Sequence, residues 1–131
     1  MENNFLKVKN YLIELDYTIV SEHEAEGVIV INNEVSGISN LVLGIADPLL
    51  IMEQFLFELS SVNCDVMQSL LMKNRDIIHG AFVLDATGKK VIFRDTLQLE
   101  NLDLNEVEAT LNSLSLLLSE YSEELINYAK I

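Results

Sequence analysis

At 131 residues, half of them hydrophobic, the chain is long enough for one domain with a real core, spanning residues 1–131, and too apolar for disorder. A formal net charge of -13 argues against nucleic acid and anionic membrane surfaces, which need a basic face, and favours a partner of basic character. The single cysteine, Cys64, forms no internal disulfide, and the first residues lack the basic and apolar regions of a secretory signal, so a reducing, cytoplasmic location is expected.

The first segment, residues 2–15, places Phe5, Val8, Leu12 and Leu15 on one face at helical spacing and predicts an amphipathic helix. Three strand-like runs follow: 17–22, the β-branched run 27–32, and 40–46. Their links are short and rich in turn formers, which predicts an antiparallel meander. The second and third runs are apolar on both faces. The sheet is then buried on both sides, or one face is kept for a partner.

Asp47-Pro48 has the chemistry of a helix start, with Asp as cap and Pro at the first helical position. A very apolar helix is expected from Leu49 to about Ser60, interrupted at 60–63. A second piece is expected from Val66 to Lys73, capped by Asn63 or Asp65. Runs 80–85 and 90–95 flank Ala-Thr-Gly-Lys and predict a hairpin. The chain closes with an acidic helix. Leu104, Val107, Leu111, Leu114, Leu118, Tyr121, Leu125 and Tyr128 alternate spacings of three and four, and Asp103 with Glu106 reads as a capping box. Between Asp95 and Ala129 there is no Lys or Arg, while Asp and Glu recur. Such a helix spans about 37 Å at 1.5 Å per residue, longer than a small sheet needs, which points to a second contact, most simply self-association.

Chemistry-bearing constellations are sparse. His23 lies among Glu22, Glu24 and Glu26, but alternating residues at a strand end do not converge on one ion, and a solvated acidic turn is expected. His79 reads as a strand-edge or interface residue. Cys64 near a helix start lacks a base and an orienting group, so no nucleophile is assigned. Gly88-Lys89-Lys90 lacks the glycine spacing of a phosphate loop. No enzyme activity, cofactor or metal site is expected. A small-molecule pocket or enzyme is weighed against this and counts less, for want of converging polar groups.

The order of elements, α-β-β-β-α-β-β-α with an antiparallel sheet flanked by helices, makes an α+β fold. It resembles the class I type III secretion chaperones, the Tir chaperone group, and the related YbjN-like proteins. The residues carrying the resemblance are Leu70, Leu71, Met72, Lys73 and Asn74, similar to a leucine-leucine-x-x-asparagine stretch. They continue through Phe82 to Asp85, Gly88, Val91 to Arg94, and the run Leu97, Leu99, Leu102, Leu104 into the last helix. The resemblance implies a non-enzymatic homodimer that holds an extended segment of a client protein, through strand addition and apolar side-chain pockets. The YbjN-like alternative is a regulatory or scaffolding protein without a secretion client. Candidate contact residues are then Val28, Val30, Val42 and Gly44, or the opposite set, with Val91 and Phe93 of the hairpin. For dimerisation, the expected region is the broken helix from Phe55 to Met72, including Phe55, Leu59, Leu70 and Leu71, and the hairpin after it.

Overall fold

A computed structural model of the chain describes residues 3–131. Helix α1 (Asn4–Glu14) is capped by Asn3, whose Oδ1 accepts the Leu6 N–H at 3.1 Å, and buries Phe5, Val8 and Leu12. Strands β1 (Thr18–His23), β2 (Val28–Asn33) and β3 (Ile38–Ala46) form the expected meander. A 3₁₀ turn at Glu24–Glu26 links the first two, and a bulge at Val20 marks the β1 edge.

The stretch after Pro48 departs from the helix that its sequence predicts. Leu49–Glu58 is a fourth strand, β4, paired with β3 on one side and β6 on the other. Asp47 and Pro48 do not start a helix. They make the two-residue link of the β3–β4 hairpin, in which Ala46 faces Leu49 and the Asp47–Pro48 bond is cis. The run is apolar on both of its strand faces, so neither a period of two nor one of 3.6 stands out. Its leucines, methionine and glutamates favour a helix locally. Pairing with two neighbours overrides that preference.

Helix α2 (Cys64–Asn74) is capped by Asn63, whose Oδ1 accepts the Val66 N–H. Strands β5 (Ala81–Leu84) and β6 (Lys90–Gln98) form the predicted hairpin. Helix α3 (Leu104–Ala129) starts at Asp103, whose Oδ1 accepts the Glu106 N–H at 2.8 Å. The result is the expected α+β class with one more strand: a six-stranded antiparallel sheet in the order β1-β2-β3-β4-β6-β5.

Helices α1 and α3 cover one face of this sheet. Ile29, Ile31, Leu41, Leu43, Leu50, Met52, Val91 and Phe93 point into that layer and meet Val8, Leu12, Val107, Leu111 and Leu114 in one core. Thr110 is a fully buried polar residue of α3, and its hydroxyl donates to Asp95 Oδ2 at 2.7 Å. Helix α2 packs beside β5 and under the end of α3. There Lys73 lies between Tyr121 and Tyr128 and pairs with Glu124 at 2.6 Å, while Ser69 and Tyr128 share a hydroxyl bond of 2.6 Å. Burial works against the Lys73 charge, but its bonds to Glu124 and Tyr128 outweigh that and raise its pKa.

Candidate protein-binding surface

The face of the sheet turned away from α1 and α3 is left uncovered by the described residues, and strand register fixes what it presents. Because side chains alternate, directly opposed residues form rows across the strands. One row runs Val28, Gly44, Ile51 and Thr96. The next runs Val30, Val42, Glu53, Arg94 and Ala81. A third, just before the bulge in β4, runs Phe55, Ile92 and Val83. Apolar rows therefore flank a polar centre, where Arg94 Nη1 donates to Glu53 Oε1 at 2.7 Å. Phe55 is 55% exposed and stands out of the surface.

Gly44 shapes the middle of this face. Its backbone is ordinary strand, and a Cβ added there would meet only the Ile51 carbonyl, at 4.0 Å. The missing side chain leaves a depression of about 450 Å³ lined by Asn40, Val42, Gly44, Ile51, Phe55 and Ile92, with Glu53 beside it. A depression ringed by β-branched and aromatic carbons, with one charged pair at its side, suits an apolar side chain of a partner backbone lying across the strands.

The structure sorts the candidate residues by face. Val28, Val30, Val42 and Gly44 come together on the uncovered side. Val91 and Phe93 do not join them. Both are fully buried in the helix-covered core, and Ile92 between them faces outward instead. Of the residues expected at a dimer contact, Leu59 and Leu70 are buried within the chain, whereas Leu71 is 70% exposed and Phe55 lies on the open sheet face, away from any helix. Ile51, Glu53 and Arg94 are not recognisable in the sequence, because β4 has the chemistry of a helix and the hairpin is apolar on both sides.

Beside β5, Met67, Leu71, Val83 and Leu84 line a second apolar cleft of about 290 Å³. Asn74 closes the strand edge there. Its Nδ2 donates to the Phe82 carbonyl at 3.1 Å, and its Oδ1 accepts the Phe82 N–H at 2.7 Å. A single amide thus satisfies the backbone as a neighbouring strand would, which explains why a leucine pair is followed by asparagine three residues on. Asn74→Ala leaves both peptide groups without that partner. A loss of roughly 2 kcal/mol is expected, read as a melting temperature lower by about 8 °C. A change within about 0.5 kcal/mol would mean that water replaces the amide at no cost.

His23 and Cys64 are exposed, and the His79 carbonyl accepts a hydrogen bond from Ser113 Oγ at 2.8 Å. Among the described residues no group of three His, Cys, Asp or Glu side chains is placed to hold a metal ion, and no helix is long and apolar enough to cross a membrane.

The CesT_Tir_1 family model matches residues 1–131. The chain belongs to the CesT_Tir_1 family. Solved structures share the fold of this CesT_Tir_1 protein at low identity. YbjN from E. coli superposes with a TM-score of 0.66 at 11% identity, covering 90% of each chain. A chain of the HopA1–SchA chaperone–effector complex gives 0.62 at 12% identity, covering 98% of this chain and 96% of that one. A chain of the ExsC–ExsE complex gives 0.59 at 17% identity, covering 95% and 97%. None of the curated proteins matches in sequence.

Proposed function

We propose that this CesT_Tir_1 protein is a single-domain, non-enzymatic, cytoplasmic binding module that works as a homodimer and holds an extended segment of a client protein. The observation that carries the reading is the uncovered sheet face, with apolar rows on both sides of the Glu53–Arg94 pair and the depression at Gly44. Its likeness to chains from two complexes, one of them a chaperone–effector complex, supports the same use. An extended segment suits this surface because side chains at every second residue can meet the apolar rows and the depression at Gly44 while the rest stay solvated. Dimerisation through α2 would cover Leu71 and Met72, two large apolar side chains side by side on one exposed helix.

The test is a steric block that spares the fold. Gly44→Leu points a side chain into the depression at an ordinary strand φ, with no atom nearer than 4.0 Å to its Cβ, so its melting temperature should stay within a few degrees or rise. The partner recovered with the wild-type protein from native lysate should be lost, and its cross-links should map to Val42, Ile51 and Phe55. A client retained in full by folded Gly44→Leu would overturn the reading. Leu71→Asp should convert the dimer into a monomer by light scattering, with the melting temperature little changed.

The likeness to YbjN favours one alternative use of the same face: a regulatory or scaffolding partner that is already folded. A recovered partner that gives a cooperative melt on its own would decide for it over an extended client.

A further inference from the structure

A second apolar surface lies on the helix layer, remote from the open sheet face. Ile78 is 87% exposed and Leu116 66% exposed, and between them a cleft of about 240 Å³ opens onto Leu117 and Tyr121. The loop after α2 that forms one wall is held in place. Ile77 N–H bonds to the Asn74 carbonyl, Asp76 N–H to the Lys73 carbonyl, and Ser113 of α3 ties down His79. Ile78 is thus presented from a fixed backbone, so binding on this side carries little ordering cost.

The charge around the cleft selects its occupant. The lining carries two carboxylates, Asp76 and Glu120, and no lysine or arginine among the described residues. Burial raises the pKa of Tyr121 in the wall, and Glu120 and Asp76 raise it further; Lys73, over the same ring but paired with Glu124 and outside the lining, opposes them. The rest of α3 adds glutamates and no basic residue. A second copy of this chain fits poorly. In a twofold contact the patch meets itself, which sets Asp76 and Glu120 against their own counterparts.

We propose that the Ile78–Leu116 cleft is a docking site for a basic amphipathic segment of a partner protein, one that inserts an aliphatic side chain between Ile78 and Leu116 and sets lysine or arginine against Asp76 and Glu120. The site is separate from the sheet face, so the protein can hold two partners at once.

The experiment titrates isotope-labelled full-length protein with a short amphipathic leucine–lysine helix and with its leucine–glutamate counterpart. The lysine peptide should shift the amides of residues 76–79 and 109–121 and weaken as salt is raised. Ile78→Ser and Leu116→Ser should each lose about tenfold in affinity while the protein stays folded. Glu120→Lys should favour the glutamate peptide, and Gly44→Leu should bind as the wild type does. Equal binding of both peptides, shifts centred on the sheet face, or unchanged affinity in the serine variants would overturn the proposal. So would a fall in molecular mass on Leu116→Ser, which would identify a second copy as the occupant.

Discussion

Leu114→Asp is expected to abolish cooperative folding at neutral pH. Leu114 is fully buried on the inner face of α3, within the core that joins the helices to the sheet. Removing the isobutyl group alone costs about 2–5 kcal/mol, from lost transfer and the space left behind. A carboxylate there adds a desolvation penalty, and the surrounding helix offers only further carboxylates, with no lysine or arginine from Asp95 to Ala129 to pair with it. Together these reach or exceed the lower end of the roughly 5–15 kcal/mol that typically separates folded from unfolded domains, so thermal melting by circular dichroism should show no transition.

Leu116→Asp is the control. It adds the same charge two residues on, at a position mostly open to solvent, and should shift stability by no more than about 0.5 kcal/mol. A Leu114→Asp protein that melts and sediments like the wild type would refute the assignment of the apolar stripe to the core.

That stripe shows how far periodicity reaches and where it stops. In α1, Phe5, Val8 and Leu12 are spaced for one face, and that face is buried. In α3 the strict heptad marks Val107, Leu111, Leu114 and Leu125 correctly, yet Leu117 is buried while Leu118 is only partly covered. A straight helix turns every 3.6 residues, so a heptad stripe drifts around it by about 20° per repeat, and neighbours off the stripe take over the seam. Leu116 and Ile126 remain outside, and Leu116 becomes a wall of the cleft beside Ile78.

The sheet is harder to read because its strands are apolar on both sides. Nothing in the order Val91, Ile92, Phe93 says which of the three faces out; only pairing to β4 and β5 decides it. The same ambiguity hides β4, where good helix formers sit in a strand that two neighbours hold. The uncovered face is half legible at β2 and β3, where the alternation groups Val28, Val30, Val42 and Gly44 but leaves the opposite set equally eligible. It is invisible at Ile51, Phe55 and Ile92, since recognising those requires the topology first. An uncovered apolar face and a strand that reads as a helix thus have one origin: residues kept hydrophobic on the side that the chain itself does not bury.

Gly80→Ala should be the second most damaging single change, although it adds one methyl group. Gly80 enters β5 with φ of 85°, in the left-handed region. A Cβ there would overlap the ring of Phe93 and lie 3.2 Å from the Arg94 carbonyl oxygen. The backbone penalty is about 1 kcal/mol. The overlap adds about 1–3 kcal/mol, because Phe93 is fully buried in the central layer and its ring has no room to retreat. A total of roughly 3 kcal/mol corresponds to a melting temperature lower by about 12 °C. Gly88→Ala separates the two contributions. Gly88 also has positive φ, 74°, but nothing lies within 4 Å of its added Cβ, so that variant should lose only the backbone part. Phe93→Leu should in turn relieve Gly80→Ala, the double variant being more stable than the sum of the two single losses by about 1 kcal/mol. Equal losses at Gly80 and Gly88, with no coupling to Phe93, would show that backbone conformation alone accounts for the glycine. The loop that presents Ile78 would then owe nothing to the packing of the Phe93 ring.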